Sequence, residues 1–499
     1  MILLIEKKNL FLEIINNKSN RSYIIPCLIL LGIYFIHYMF FVPFWPLDHD
    51  TFYKLLSVKN EFEFDYRDHQ HWRWGSYTIY KIFSLFFDQN FITITSTSLV
   101  LFLLSALLFT YCVHINLGLF YSLIFTIFWI TSKSLNYEIF SFSVVNQSLL
   151  PLAVLMFCIQ RIKHNDLNLL NAIIISVVFF WLYSIKETNV FFFPLLFFFR
   201  DIRHNLNFVF KIILTCLFFY FLETVFFNFL SVEQFFFGRV FSLLSDNSPV
   251  FNEMADMEYA KMHGVNSNLE KFFLIFYRWY SAREWDTTIF YFSFIFSIVF
   301  LLNRENYYLS KNNFKILNSL LVLSFFLFTT FFIISLFPPT LGQPLNTRYL
   351  TVLLPFSYIS IIIFIKIFIN QSSYKLLSII LLSIVLTTFL SRPVFSLLTI
   401  DENFHYLSFT KHKGNSVFDR YNQYNKLYNS LHKYDCLIID STNPWVKLTL
   451  AEGLPLLLNK KVNIDEWEYI EGSDKLLRKI SSNMCNNKLI IKENGIIFN

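Results

Sequence analysis

The sequence is poor in glycine and has few cysteines, none of them in a recognised metal or redox spacing. Only 10 of its 499 residues are glycine and 6 are cysteine. No Cys-x-x-Cys pair occurs, which argues against a structural metal site or a dithiol redox site. No internal repeat or low-complexity linker is evident. Four cysteines fall inside apolar runs, where cysteine usually behaves as a small hydrophobe: Cys27, Cys112, Cys158 and Cys216.

Long apolar runs dominate what the sequence does contain. Hydrophobic residues make up 55% of the chain. Runs long enough to cross a bilayer as helices recur along most of it. Helix is the state expected for them in lipid, because each backbone polar group must be satisfied within its own segment. The sequence therefore predicts an all-α polytopic membrane protein. The net charge of +6 is attributed to basic cytoplasmic loops and not to a nucleic-acid partner.

Basic residues orient the predicted spans. Residues 1–22 are basic enough to predict a cytoplasmic N-terminal segment, followed by an uncleaved signal anchor. Residues 23–391 then form the transmembrane domain. It contains about eleven spans by apolar length, near 23–45, 91–113, 116–131, 143–160, 168–185, 188–200, 207–230, 287–303, 316–337, 349–369 and 375–391.

Two long loops are predicted on the outer side of the plasma (inner) membrane. Residues 46–90 and 231–286 each hold more acids than Lys or Arg, unlike a cytoplasmic loop. With eleven crossings, residues 392–499 also lie outside, where they are predicted to form a small soluble α/β domain. Its strand candidates are CLIID at 436–440 and KLIIKE at 488–493.

The C-terminal domain shows no sign of chemistry of its own. It has no glycine-rich phosphate loop and no nucleophile elbow, which favours recognition or structural support. Cys436 and Cys485 lie in this region. They would pair if it faces an oxidising compartment, and an unpaired structural role is the alternative.

The first outer loop opens with two carboxylates. Asp48 and Asp50 follow Trp45 and Pro46, at the depth where aromatic residues mark the membrane interface. Partial desolvation there would raise the pKa of a carboxyl and suit it to act as a general base toward an acceptor hydroxyl. A solvated helix end is the competing interpretation. The two side chains share a face only if the segment is extended, since in a helix they point about 200° apart.

A second polar cluster closes the same loop. His69, His71 and Arg73 alternate in HQHWRWG and would share one face of an extended segment. That face would suit a phosphate or, together with Asp48 and Asp50, a divalent cation such as Mn²⁺ or Mg²⁺. His-x-His lacks the specificity of a Cys-x-x-Cys pair, so the metal site is the second alternative. The following WRWGSYTIYKIFSLFF predicts an amphipathic helix along the interface.

Three further ionisable residues lie at predicted outer ends of spans. Lys186 and Glu187 occupy the turn after the fifth span, and Arg348 precedes the tenth. Charges at or within a membrane are costly, which makes them functional candidates. A cation there suits capture of a lipid phosphate. The competing interpretations are a local salt bridge between Lys186 and Glu187 and a snorkelling Arg348.

The whole arrangement resembles the GT-C superfamily of integral membrane glycosyltransferases, in particular the protein mannosyltransferase-like and aminoarabinose transferase-like branch. LDHDTFY is similar to the acidic motif that opens the first outer loop of that family, and HWRWGSYTIYKIFSLFF to the segment that leads to its second helix. KET at 186–188 and RYLTVLLP at 348–355 are also similar to segments of these enzymes. The branch usually has adjacent Asp and Glu where this chain has Asp-His-Asp, so the choice of base between Asp48 and Asp50 stays open.

The resemblance implies transfer of a sugar from a polyprenyl-phosphate-linked donor to a lipid, glycan or protein acceptor of the cell envelope. Asp48 or Asp50 would be the base, and the remaining candidates would bind substrate or its phosphate: His69, His71, Arg73, Lys186, Glu187 and Arg348. A glycan polymerase or ligase is the first alternative. A lipid or sugar transporter is the second, and it ranks lower because no repeat relates the intramembrane charges.

Overall fold

Most of the chain that can be described is helical. The computed structural model describes residues 22–41, 74–86, 91–139, 143–161, 167–186, 189, 192–193, 196, 205–229, 286, 289, 292–293, 351–370, 436–440, 466–469, 476–479, 488–492 and 495–498. Within them the helices are α1 (Ile24–Phe41), α2 (Trp74–Ser84), α3 (Phe91–Leu117), α4 (Leu119–Thr131), α5 (Lys133–Tyr137), α6 (Val144–Arg161), α7 (Leu169–Ile185), α8 (Leu206–Phe229) and α9 (Leu354–Asn370).

Glycine separates the two helices at the centre of the bundle. Gly118 joins α3 to α4 with a φ of 96°, in the left-handed region that favours a residue without a Cβ. Its N–H donates to the carbonyl of His114 at 2.9 Å, and its carbonyl accepts from the N–H of Ser122 at 3.1 Å. The chain therefore reverses between α3 and α4 while both helix ends keep a backbone partner.

The core lies around α3, which packs against α1, α4 and α6. On its other side α6 packs against α7, and α7 against α8, while α9 packs against α4. Aromatic rings fill the centre: Phe109 lies with its ring centroid 5.9 Å from that of Trp129 and 5.7 Å from that of Phe356. Side chains from three helices therefore interlock at one point of the core.

Two helices are long and apolar enough to cross a membrane, judged by length and composition. They are Ser96–Leu117 within α3 and Leu206–Phe226 within α8. Further helices are apolar but shorter: Ile24–Ile36, Leu119–Thr131, Val144–Gln160, Leu169–Ile185 and Thr351–Lys366.

The long helix α8 has two apolar faces. One face packs against α7. The other is exposed and carries Leu206, Phe210, Leu214, Phe218, Phe221, Leu222, Val225 and Phe226. Water penalises an apolar row of this length, whereas lipid does not, so the pattern fits a helix that borders a bilayer.

Seven of the eleven predicted spans coincide with described helices, namely α1, α3, α4, α6, α7, α8 and α9. The helix predicted after HQHWR is also confirmed, as α2. The spans predicted near 316–337 and 375–391 lie outside the described residues, and those near 188–200 and 287–303 lie largely outside them. The total of eleven therefore stays a prediction.

Five short strands are described near the C-terminus. β1 (Cys436–Asp440) pairs in parallel with β4 (Lys488–Lys492), which pairs antiparallel with β5 (Gly495–Phe498). A separate antiparallel pair joins β2 (Glu466–Tyr469) to β3 (Leu476–Lys479). β1 and β4 lie at the two segments predicted as strands, while the existence of a separate α/β domain stays a prediction.

Candidate functional site

Several helices end near Lys186, and we call this region the Lys186 end of the bundle. It comprises the C-terminal ends of α7 and α8, the N-terminal ends of α2, α3 and α6, and the residues Lys186 and Asn189. The sequence analysis assigns all of these helix ends to the outer side of the membrane. The contacts described below join them, as alternating crossings require.

Lys186 is the C-cap of α7 and is almost completely buried, with 6% of its surface exposed. The helix stops here because the backbone of Lys186 turns extended, at φ −155° and ψ 129°. Its N–H still donates to the carbonyl of Leu182 at 3.2 Å, and its own carbonyl accepts from the N–H of Asn189 at 2.9 Å. Burying a lysine side chain beside an apolar core is costly without a functional or structural reason.

Buried amide side chains tie the helices of this end together. Asn189 donates from Nδ2 to Ser148 Oγ at 2.9 Å and to the carbonyl of Leu182 at 2.8 Å, which links α7 to α6. Asn146 donates from Nδ2 to the carbonyl of Ser98 at 3.1 Å, which links α6 to α3. The amides thus hold three helix ends in a fixed relation beside Lys186.

A proline follows the amide residues Asn146 and Gln147 within α6. Pro151 has no N–H, so it donates no hydrogen bond to the carbonyl of Gln147 one turn earlier. Asn146 and Gln147 are both fully buried at this point. Buried amide side chains are suited to bind the hydroxyl groups of a polar ligand.

The helix α2 docks on this end through its first two residues. Trp74 donates from Nε1 to Glu223 Oε1 of α8 at 2.6 Å, and its ring lies 5.6 Å from that of Phe180 on α7. Gly75 packs so closely on α7 that a Cβ added to it would lie 2.9 Å from the carbonyl carbon of Ser184. The N-terminus of α2 is therefore held by both α7 and α8.

This docking brings two distant segments of the sequence to the same place. Arg73 directly precedes Trp74 in the chain, and Ser184 lies two residues before Lys186. The start of α2 thus packs on the last turn of α7, directly before Lys186. Arg73 and Lys186 are both proposed from the sequence for phosphate binding, with no signal there that α2 packs on α7.

A second buried carboxylate joins two other parts of the chain. Asp286 accepts the backbone N–H of Ser134 in α5 at 2.8 Å and the hydroxyl of Tyr358 in α9 at 3.0 Å. The adjoining Asn136 accepts the hydroxyl of Tyr34 of α1 at 3.1 Å. Asp286 therefore fixes the end of the long 231–286 loop to the helix bundle.

Among the residues proposed from the sequence for the site, Lys186 belongs to the described part of the chain. The others lie outside the described residues: Asp48, Asp50, His69, His71, Arg73, Glu187 and Arg348. The alternative metal site would be built from four of these. In the part that the structure describes, no group of three or more His, Cys, Asp and Glu is placed to hold a metal ion.

Sequence reasoning missed several residues of the Lys186 end. Asn146, Asn189 and Glu223 are not among the site residues predicted from the sequence. The available signal was the polar triplet Asn-Gln-Ser inside the apolar run VVNQSLLPLAV, because buried polar groups in a membrane span are expensive. No spacing rule would have paired Trp74 with a residue 149 positions away.

No protein-family model matches the chain, and a comparison with curated proteins gives no match. A functional assignment therefore depends on the residues of the chain itself.

Proposed function

We propose that the protein is an integral membrane glycosyltransferase that transfers a sugar from a polyprenyl-phosphate-linked donor to a cell-envelope acceptor at the outer face. One observation carries the proposal most: Trp74 and Gly75 dock beside the buried Lys186. The docking holds the start of α2, which follows Asp48 and Asp50 in the chain, on the last turn of α7 directly before Lys186.

The cationic groups suit the leaving group of such a reaction. A lipid phosphate gains negative charge as its bond to the sugar breaks, and a cation in a poorly solvated site stabilises that charge more than it would in water. Lys186 meets this condition because it is nearly excluded from solvent. Arg73 and Arg348 are the proposed additional phosphate ligands.

The carboxylates of the first loop complete the chemistry. Asp48 or Asp50 takes the proton of the acceptor hydroxyl, and the resulting oxygen attacks the anomeric carbon. The bond between that carbon and the phosphate oxygen breaks at the same time, and the polyprenyl phosphate leaves with the electron pair. A single displacement of this kind inverts the anomeric centre.

The base is tested with Asp48→Asn and Asp50→Asn in a deletion strain complemented with each variant. Lipid-linked sugars and envelope glycans are profiled by mass spectrometry. We expect the variant at the true base to lose transfer by about 100-fold or more, because it can no longer accept the proton. Full activity of both variants would reject the carboxylate base.

The phosphate role of Lys186 is tested with Lys186→Ala and Lys186→Arg in the same strain. We expect Lys186→Ala to lose about 100-fold in kcat/KM, and Lys186→Arg to keep more activity because it retains the charge. Lys211→Ala, at the opposite end of α8, is the matched control and should transfer normally. Wild-type turnover by Lys186→Ala at equal protein level would contradict the role.

Release of free polyprenyl phosphate separates transfer from transport. A transferase breaks the bond between sugar and phosphate and so releases polyprenyl phosphate, whereas a transporter moves the donor intact. Purified protein in lipid nanodiscs, supplied with the lipid extract of the deletion strain, should form polyprenyl phosphate in proportion to the glycosylated product.

A further inference from the structure

Glu223 is a buried carboxylate in a mostly apolar helix. It lies near the C-terminal end of α8 with 7% of its surface exposed. A carboxylate in such a helix is costly, and it is retained only where a partner or a function compensates. Its Oε1 accepts the indole N–H of Trp74 at 2.6 Å.

The indole of Trp74 is held from two sides. Its N–H is bound by α8, and its ring packs against Phe180 of α7. Phe180 in turn stacks on Phe219 of α8, with ring centroids 5.5 Å apart. The side chain of Trp74 therefore bridges the α7 and α8 pair, and its position depends on Glu223.

The residue after Trp74 also packs closely on α7. Gly75 can approach Ser184 this closely only because it has no Cβ, so a larger residue here would push α2 away from α7. An 11-residue helix is marginal by itself, which makes α2 dependent on this docking for its order. Loss of the Trp74 contact should therefore be felt along the whole of α2.

We infer that Glu223 is a positioning residue for the donor-phosphate site: through Trp74 it holds the start of α2 on the last turn of α7, directly before Lys186. The inference rests on the proposed function for the identity of the substrate. The coupling of Glu223 to α2 is independent of that function and can be measured without turnover.

The coupling is tested by hydrogen–deuterium exchange of the full-length protein in lipid nanodiscs, followed at the amides of residues 78–84. Glu223→Leu removes the acceptor, and Trp74→Phe removes the donor but keeps a ring against Phe180. Each should raise exchange about ten-fold, and the double variant should exchange no faster than either single one. Glu223→Gln keeps an acceptor oxygen and should fall between them and wild type.

Thr224→Val is the matched control, because Thr224 is the next residue of α8 and its hydroxyl donates within the helix to the carbonyl of Tyr220 at 3.0 Å. It should leave exchange of α2 unchanged. Wild-type exchange in both Glu223→Leu and Trp74→Phe, or effects that add in full in the double variant, would overturn the coupling.

The positioning role is tested by donor kinetics in the same nanodiscs. We expect Glu223→Leu and Trp74→Phe to raise KM for the lipid-linked donor about ten-fold with kcat changed less than two-fold, and Glu223→Gln to recover most of the loss. A fall in kcat with KM unchanged would overturn the role. Absence of transfer by the wild-type protein would overturn the proposed function and the donor role together, while the exchange experiment separately decides the coupling.

Discussion

Asp286 shows how a single residue holds distant segments together. Its carboxylate receives a backbone N–H from Ser134 and a hydroxyl from Tyr358, and it is 5% exposed. Burying a charge is unfavourable unless such donors compensate it. The two hydrogen bonds therefore explain why a carboxylate is stable here, and they make its loss costly.

We expect Asp286→Ala to lower the free energy of unfolding by about 3 kcal/mol, because it leaves two buried donors unsatisfied. Tyr358→Phe should cost about 1.5 kcal/mol, since it removes one of the donors. Reversible unfolding in mixed micelles, with the double variant to give the coupling energy, measures both effects.

Ser105→Ala is the reference for this measurement. Ser105 is fully buried like the Asp286 junction, but its hydroxyl donates only to the carbonyl of Leu101 in its own helix, at 2.7 Å. We expect a change below about 0.5 kcal/mol for it. If Asp286→Ala unfolds like Ser105→Ala, Asp286 does not hold the junction.

Lys186 and Glu223 mark how far single residues could be predicted. Lys186 is proposed from its place at the end of a predicted span, because the free-energy cost of a charged residue in a membrane can be inferred from the sequence alone. The buried amides near Lys186 and the hydrogen bond between Trp74 and Glu223 could not be predicted, because they depend on how helices far apart in the chain pack against each other. Burial and partner are properties of the fold, not of local spacing.

At the scale of an element, the close packing of α2 on α7 requires a residue without a side chain at position 75, which is Gly75. A Cβ added to Gly75 would collide with Ser184 Oγ, which can rotate away, but it would also lie 2.9 Å from the backbone carbonyl carbon of Ser184, which cannot move aside as a flexible side chain would. Gly32 of α1 offers the contrast, because a Cβ added there would meet nothing within 4 Å. The chain thus contains a matched pair of helical glycines with opposite surroundings.

We expect Gly75→Ala to destabilise the docked α2 by about 2 kcal/mol, because the added methyl overlaps α7. Gly32→Ala should be neutral or stabilising by up to about 1 kcal/mol, since alanine favours the helix. Amide exchange of residues 78–84 reports the first effect, and unfolding in mixed micelles reports both. Equal behaviour of the two variants would show that Gly75 has no close contact.

The length of the apolar runs predicts where the helices lie in the chain, but it does not predict the residues at which they end. The second span was expected to end at residue 113, but α3 continues to Leu117. It can do so because Asn116 satisfies its own polar group by donating to the carbonyl of Cys112 at 2.6 Å. Apolar length places the end of a span at the first polar residues. A polar side chain that forms a hydrogen bond with its own helix lets the helix continue past that point.

For the whole molecule, contacts between helix ends agree with alternating crossings. Tyr38 near the end of α1 shares a hydrogen bond of 2.9 Å with Ser96 near the start of α3. At the opposite end, Ser22 lies 3.5 Å from His114 of the same two helices. The two helices are therefore antiparallel, as two successive crossings must be. Which end faces outward remains a prediction from the positive-inside pattern.

A reporter fused after Asn499 tests the overall topology. We expect activity typical of the outer side, because eleven crossings from a cytoplasmic start end outside. A fusion after His164, in a predicted cytoplasmic loop, gives the reference signal for the inner side. An inner-side signal after Asn499 would show that the number of spans is even and that one span was added or missed. The predicted position of the first outer loop would not change.

The bond between Trp74 and Glu223 also sets an order of events during synthesis. The two residues are 149 positions apart, so the partner of Trp74 does not exist when α2 leaves the ribosome. At common rates of translation, on the order of ten seconds or more pass before it is made. During that interval the indole N–H of Trp74 lacks this acceptor, and α2 can pack on α7 and α8 only after both have been synthesised. The Lys186 end of the bundle is therefore assembled late, through contacts distant in sequence and not through local folding.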